Sequence, residues 1–223
     1  MLWNFDDAGF LRRPCQDRNA FGFGMILLNF GGMELLINKI KSYVPLSSED
    51  EIIIRTLFHK KELKKGEHLL EAGNVCRHVI FIETGLVRYY INNDGVEQTT
   101  YFNKENEFVC DNMSFLTQIP SNVNIRALED STVWMISYVG IQQFYKEVTT
   151  GERFGRLAIE EVFVNAASQI VSLYSDPPEA RYNKFISNYT DVAQRIPQYY
   201  IASYVGIKPQ SLSRIRKRIS GKH

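Results

Sequence analysis

The chain has 223 residues, of which 44% are hydrophobic and 23% are charged. This composition is typical of a globular protein and excludes a disordered or collagen-like chain. The formal net charge is only +1, but residues 181–223 carry nine lysines and arginines against one acid, whereas residues 1–180 carry 17 against 24 acids. A basic tail on an acidic body is typical of a protein whose C-terminal part contacts nucleic acid.

The first 32 residues do not have the pattern of a targeting segment. No basic region precedes an apolar core, and the longest apolar run, Met-Ile-Leu-Leu at 25–28, is far too short to span a membrane. We interpret residues 1–32 as a leader outside the native structure, with Met33 as the natural start. A functional N-terminal arm is the alternative, and no membrane partner is expected.

Residues 33–150 are predicted to form a β-roll with a helical lead-in. Apolar residues recur at helical spacing between Met33 and about Phe58, and Ser47 or Ser48 is suited to cap a helix. From residue 60 to 137, short β-type segments alternate with glycines, and Asp94-Gly95 favours a type I′ hairpin. Many short strands with glycine turns indicate a closed double-sheet jelly roll.

A single long helix is predicted over residues 151–175. Five apolar residues in it step by four, three, four and three positions, which is the spacing of a coiled-coil seam: Ile159, Phe163, Ala166, Ile170 and Leu173. The seam predicts a homodimer, although packing against its own domain is the alternative. Asp176-Pro177-Pro178 then ends the helix and forms the hinge to the tail.

The tail, residues 176–223, contains the pattern of a helix-turn-helix in the segment IPQYYIASYVGIKPQSLSRIRKRI. Ala202 is small enough for a close helix crossing, and Gly206 can take the positive φ of the turn. Pro197 and Pro209 are suited to the first turns of the two helices. An ordinary helical hairpin is the alternative interpretation.

The outer face of the second helix favours DNA binding over a simple hairpin. Gln pairs with adenine and Arg with guanine, whereas further basic residues are suited to phosphates. The predicted DNA-binding residues are Lys208, Gln210, Ser211, Ser213, Arg214, Arg216, Lys217 and Arg218. Lys208 stands where a capping Ser or Thr is usual, so we expect no side-chain N-cap on this helix.

Metal and cofactor chemistry is not expected. Cys15, Cys76 and Cys110 are odd in number and far apart in sequence, so they make neither a disulfide framework nor the C-x-x-C spacing of a metal site. The four histidines add no ligand cluster, and no catalytic triad, carboxylate pair or phosphate loop is visible. We therefore predict no enzymatic activity, and a reducing cytoplasm as the compartment.

The order of these segments resembles that of the Crp/Fnr (cyclic-AMP receptor protein/fumarate-nitrate regulator) family, over residues 33–223. The likeness rests on LKKGEHLLEAGNVCRHVIFIETGLVRYY in the roll and on IASYVGIKPQSLSRIRKRI in the tail, and it is greatest to Bacteroidetes-type regulators. It implies an α+β fold made of a cyclic-nucleotide-binding-like jelly roll, a dimerisation helix and a helix-turn-helix. Only SGKH follows Ile219, so we expect the β-hairpin wing of many relatives to be absent.

The resemblance breaks down at the residues that hold cyclic AMP in relatives. Cys110-Asp111-Asn112 replaces their Gly-Glu-Leu, and Ser121, followed by Asn122, stands at their phosphate-binding arginine. A buried phosphate without a guanidinium loses a bidentate contact and keeps its desolvation cost. These five positions are the predicted effector pocket, for which we expect no tight cyclic-nucleotide binding.

Two functions from different classes remain. The first is a cytoplasmic, homodimeric transcription regulator that binds double-stranded DNA. The second is a small-molecule-binding signalling module that does not act on DNA. The sequence leaves open the effector, the operator, contact with RNA polymerase, and activation or repression.

Overall fold

The structure, a computed structural model, describes residues 31–220. Two helices come first, α1 (Gly31–Lys41) and α2 (Ser48–Leu57). Eight strands and one short helix follow: β1 (His59–Leu63), β2 (His68–Leu70), β3 (His78–Thr84), β4 (Val87–Asn93), β5 (Val96–Asn103), β6 (Phe108–Val109), α3 (Asn112–Thr117), β7 (Asn124–Ala127) and β8 (Ser131–Ser137). The remaining helices are α4 (Tyr138–Glu147), α5 (Gly151–Ser175), α6 (Pro178–Asn188), α7 (Val192–Arg195), α8 (Gln198–Val205) and α9 (Pro209–Ser220).

The strands form two antiparallel four-stranded sheets, ordered β1-β8-β3-β6 and β2-β7-β4-β5. The two inner faces enclose one hydrophobic core, in which Phe81, Ile82 and Val133 are fully buried. The predicted double-sheet roll is confirmed. The β4–β5 hairpin is also as predicted, because Asp94 and Gly95 both have positive φ, at 50° and 83°.

The N-terminal helices close one side of the roll. Leu36, Ile37 and Ile40 of α1 are fully buried in the core of the roll. Ser47 caps α2 through a capping box with Asp50, whose carboxylate also accepts a hydrogen bond from the backbone of Thr149. The bond to Thr149 ties the lead-in to the start of the long helix.

The start of α1 lies two residues earlier than the sequence indicated. Gly31 and Gly32, assigned above to the leader, belong to the helix, and Gly32 is buried. Because glycine is a poor helix former, the pair gave no helical signal. Residues 1–30, including Cys15, lie outside the described residues.

Four shorter helices were not predicted individually. They are α3 and α4 in the roll and α6 and α7 in the tail, and each is too short or too polar to show a clear apolar stripe. Helix α4 follows β8 directly and is capped by Ser137, whose hydroxyl accepts from the backbone N–H of Gly140. Its buried Ile141 and Phe144 fill the space beneath α5.

A side chain at Gly85 would clash with Ser131 in the roll. Gly85 has φ 115°, and a Cβ there would lie 2.1 Å from Ser131 Oγ and 2.9 Å from Ser131 Cα. Gly73 has a similar φ of 92°, but no atom lies within 4 Å of its virtual Cβ. A substitution at Gly73 therefore adds backbone strain alone, whereas one at Gly85 adds both backbone strain and a steric clash.

We expect Gly85→Ala to lower the free energy of unfolding by about 2 kcal/mol more than Gly73→Ala, since only the first adds overpacking to the positive-φ penalty. Urea denaturation followed by circular dichroism measures the difference. Equal decreases for the two variants would show that Ser131 moves aside without cost.

Candidate DNA-binding helix and effector cavity

Helices α8 and α9 meet in a tight turn. Gly206 has φ 74° and donates its backbone N–H to the carbonyls of Ala202 and Ser203. Ala202 is fully buried at this crossing, next to Ile201 and Val205. The turn therefore has the left-handed glycine and the small crossing residue that the sequence pattern requires.

Helix α9 has one buried and one exposed face. Leu212 and Ile215 are buried in the core of the tail, and Ile219 is half-buried beside them. Ser211 is half-buried as well. The other predicted DNA-binding residues are all exposed: Lys208, Gln210, Ser213, Arg214, Arg216, Lys217 and Arg218.

The basic residues of α9 point in different directions. Arg216 and Lys217 line a shallow groove of about 440 Å³ between α8 and α9, together with Gln198 and Ser213. Arg218 lies on the opposite side, where it forms an ion pair with Glu179 of α6. Arg214 lies one turn beyond Gln210 on the exposed face.

The tail is packed directly on the roll. Phe102 of β5 is fully buried among the rings of Phe185, Tyr189 and Tyr204, with centroids 5.9–6.3 Å apart. The hydroxyl of Ser203 accepts a hydrogen bond of 2.8 Å from the backbone N–H of Thr99. Helix α8 is thus attached to the outer face of β5 by both apolar and polar contacts.

A buried arginine lies at this contact. Arg88 is 1% exposed, and it donates to Thr99 Oγ1 at 2.8 Å and to the carboxylate of Glu97. Its guanidinium carbon lies 3.9 Å from the ring centre of Tyr200 in α8 and 4.6 Å from that of Tyr90 in β4. The charge is therefore paired, hydrogen-bonded and covered by two rings, as a buried charge must be.

Three further ion pairs join the roll to α7 and its N-cap residue. Arg195 of α7 forms a bidentate pair with Glu105, at 2.8 and 3.0 Å, and contacts Glu129 on the roll. Lys104 pairs with Asp191 at 2.7 Å. The carboxylates of Glu105 and Glu129 raise the pKa of Arg195 further above its already high value.

The first half of the long helix α5 buries Phe154 in the core of the roll, whereas its second half has polar residues inside and apolar residues outside. Its inner face presents Asn165, Ser168, Gln169 and Ser172 to a cavity of about 210 Å³ between the roll and α6. The predicted seam lies on the outside, where Phe163 is 71% exposed and Ile170 is 56% exposed. Ile159, Ala166 and Leu173 are also exposed, and Leu173 lies at the rim of the cavity.

The roll contains a second cavity, of about 220 Å³. Its walls come from the segment around β2, from the loop before β3 and from the end of β6, and include His68, Asn74, Arg77, His78 and Cys110. Burial, together with the charges of Lys61 and Arg77, lowers the pKa of His78. The cavity is thus lined by both polar and apolar groups.

The sequence and the fold were compared with those of known proteins. Residues 60–148 match the family model of the cyclic nucleotide-binding domain. The chain carries a cyclic nucleotide-binding domain. A search of curated protein sequences gave no significant match.

Solved structures extend the likeness beyond this domain. A protein described as a Crp/Fnr family transcriptional regulator, from Eubacterium rectale, is 18% identical with a TM-score of 0.62, over 79% of this chain and 85% of that one. FixK2 from Bradyrhizobium japonicum is 16% identical with a TM-score of 0.64, over 74% and 85%. The c-di-GMP-responsive global regulator CLP of Xanthomonas campestris is 14% identical with a TM-score of 0.60, over 79% and 93%. This chain has the fold of Crp/Fnr regulators; the likeness to the Bacteroidetes type stays a prediction.

Only one of the five predicted pocket residues lines the cavity of the cyclic nucleotide-binding domain. That residue is Cys110. Asp111 and Asn112 lie at the start of α3, as its N-cap and its first residue. Ser121 is buried in the loop after α3, where its hydroxyl accepts from the backbone N–H of Val123 at 2.8 Å, and Asn122 follows it. Ser121 therefore stabilises a turn.

Arg126 does not replace the missing arginine of the cyclic nucleotide-binding domain. Neighbouring residues of a strand point to opposite faces, and Ile125 is the one that lines the cavity. Arg126 lies within 3.2 Å of the Tyr200 hydroxyl and 3.4 Å of Glu97, on the face that contacts α8. Its guanidinium contributes to the contact between domain and tail.

A pair of cysteines in this domain was missed by sequence reasoning. Cys76 and Cys110 are 34 residues apart in sequence, yet their sulfur atoms lie 4.0 Å apart on the cavity wall. The antiparallel pairing of β3 with β6 brings them together, and no local sequence signal announces a long-range contact of this kind. Both are free thiols, and among the described residues no group of three or more His, Cys, Asp or Glu side chains could hold a metal.

No helix within residues 31–220 is long and apolar enough to cross a membrane.

Proposed function

We propose that this protein is a homodimeric transcription regulator that binds double-stranded DNA in the cytoplasm and reads its sequence with helix α9. The observation that carries the proposal is the exposed face of α9, which presents Gln210, Arg214 and further basic groups opposite a buried apolar stripe. A helix held in this way can enter the major groove without disturbing its own core.

The charges of the tail support the same function. Lys208, Arg216 and Lys217 surround the base-reading positions and are suited to phosphates, which set register and affinity. Arg218 can exchange the carboxylate of Glu179 for a phosphate, since both are anionic oxygen groups. Ser211 and Ser213 supply hydroxyls that can reach either the backbone or a base edge.

The exposed apolar residues of α5 support the proposed dimer. An exposed apolar stripe on a helix whose polar residues face inward is the arrangement expected when a second helix covers the stripe. Two copies of α5 packed along the stripe would place two copies of α9 on one assembly. Two recognition helices about 34 Å apart, one turn of DNA, would then contact two half-sites.

Control of the proposed regulator would act through the contact between roll and tail. Because α8 lies directly on β5, a shift of that strand or of α5 would move the recognition unit as well. The cavity of the roll is the proposed site of a small-molecule effector. Cys110 is the one predicted pocket residue that lines it, and Ser121, which stands at the sequence position of the arginine in cyclic-AMP binders, lies in the loop after α3 instead.

We expect Ile170→Glu to convert the dimer into a monomer, because it would bury a carboxylate on each chain without a partner. Sedimentation velocity measures the change, and DNA affinity should fall sharply because the two half-sites are no longer bound by one linked assembly. Ile52→Glu is the matched control, since Ile52 of α2 is 63% exposed and lies outside the seam. An Ile170→Glu protein that stays dimeric would place the interface elsewhere.

Base reading and phosphate binding are separable by two substitutions in α9. Arg214→Ala should weaken specific binding by about 1–3 kcal/mol and relax the preference at one base pair of each half-site. Lys217→Ala should weaken binding to all sequences alike and reduce the salt slope by about one unit for each phosphate that the variant no longer neutralises. Selection from randomised half-sites at several salt concentrations measures both effects.

Arg153→Ala, an exposed charge change on α5, is the control for net charge. If Arg214→Ala lowers affinity uniformly and leaves the preferred sequence unchanged, Arg214 contacts a phosphate and α9 is rotated in the groove. If no genomic fragment shifts in a gel at low salt, the protein is a signalling module that does not act on DNA.

Cyclic nucleotides should not bind the roll tightly. Calorimetry with millimolar cyclic AMP or cyclic GMP should show no saturable heat, because Ser121 stands at the sequence position where cyclic-AMP binders have the arginine that holds the phosphate. A cyclic-AMP-binding protein titrated in the same buffer is the positive control. A dissociation constant in the low micromolar range would show that another cation, such as Arg77, takes the phosphate.

A further inference from the structure

Two thiols meet on the wall of the roll cavity. Cys76 lies just before β3 and Cys110 just after β6, and their sulfur atoms are 4.0 Å apart. Cys76 is only 5% exposed and Cys110 is half-buried, but both line the cavity, which small molecules can enter. A disulfide needs the sulfur atoms about 2.05 Å apart, so a shift of about 2 Å would join them.

The backbone N–H groups of both cysteines donate hydrogen bonds to side chains of the roll. The backbone N–H of Cys76 donates to Ser114 Oγ in α3 at 2.9 Å, and that of Cys110 donates to the Tyr89 hydroxyl at 3.1 Å. The Cys76 sulfur also lies 3.5 Å from the carbonyl oxygen of His78, so it is held beside the Cys110 sulfur. The pair is therefore preorganised for a local reaction.

The two sulfur atoms have different acidities. A hydrogen bond from the Cys110 thiol lowers the pKa of Cys76 to about 7, despite the opposing effect of burial. The same bond, with burial, raises the pKa of Cys110 well above its usual value. At neutral pH Cys76 therefore has substantial thiolate character, and the thiolate is the reactive form of cysteine.

We infer that Cys76 and Cys110 form a reversible thiol–disulfide site, in which a hydroperoxide in the roll cavity oxidises the pair to an intramolecular disulfide. The inference rests on the position of the two sulfur atoms on one cavity wall. It is independent of the proposed DNA binding, because the chemistry is confined to the roll.

The reaction balances in two steps. The Cys76 thiolate attacks one oxygen of the hydroperoxide, the O–O bond breaks, and the leaving oxygen takes a proton to give water or an alcohol and a sulfenic acid. The Cys110 sulfur then attacks the Cys76 sulfur and the S–O bond breaks. The hydroxide leaves as water with the proton of Cys110. Two thiols lose two electrons in total, and an external thiol reverses the change.

Closure of the disulfide would act on contacts that lead toward the tail. The backbone N–H of Cys110 donates a hydrogen bond to the Tyr89 hydroxyl. The ring of Tyr89 packs edge-on against that of Tyr101, with 6.0 Å between ring centres. Tyr101 in turn packs against Tyr189 at the end of α6, at 6.3 Å. A shift of Cys110 would therefore move Tyr89 and Tyr101, and Tyr101 contacts Tyr189 of the tail.

The test uses the full-length chain with Cys15→Ser, so that two cysteines remain. After hydrogen peroxide treatment and unfolding in denaturant, we expect the number of free thiols to fall from two to none per chain, and dithiothreitol to restore both. Trypsin should yield one linked pair of peptides, residues 66–77 with 105–126, detected by mass spectrometry without reduction.

Single-cysteine variants assign the two roles. With Cys110→Ser, dimedone should trap a sulfenic acid on Cys76. With Cys76→Ser, Cys110 should stay a thiol at the same peroxide dose. The inference is overturned if both thiols survive peroxide, if oxidation goes only to irreversible sulfinic or sulfonic acid, or if the disulfide joins two chains.

Discussion

The rest of the structure depends on the contact of helix α8 with strand β5. Phe102 projects from the roll into the aromatic core of the helical tail, and Leu86 enters the same core beside it. Each aromatic pair adds roughly 0.5–1.5 kcal/mol to the burial of its rings. Because the guanidinium of Arg88 is buried beneath the ring of Tyr200, this contact resembles the core of a domain, and the position of the roll determines the positions of α8 and α9.

This contact gives a physical route between the two ends of the molecule. In β7, Ile125 lines the cavity and its neighbour Arg126 belongs to the charge cluster beneath α8. His68 also lines the cavity, and its ring is hydrogen-bonded to Tyr90 of that cluster. A change in the cavity need not travel through the long helix to reach the tail. The proposed effector and the proposed oxidant would both act at the wall of this cavity.

Helix α5 carries a row of exposed apolar residues. Its inward polar residues leave a cavity of about 210 Å³ beneath it, and its outward apolar residues include Phe163 and Tyr174, the latter 91% exposed. An exposed apolar stripe of this kind supports the proposed homodimer. A second copy of α5 has the matching pattern, since a symmetric interface requires a self-complementary stripe.

The sequence alone determined the features that depend on local chemistry and on periodicity. Asp94-Gly95 specified the β4–β5 turn and Gly206 the left-handed end of α8, because backbone sterics decide both. Leu212 and Ile215 specified the buried face of α9, because helical spacing decides it. Only the tertiary structure decided that Cys76 meets Cys110, that Arg126 faces α8, and that the tail packs on β5. Those contacts join residues far apart in the chain, and their geometry follows from strand register and sheet closure, which no local pattern contains.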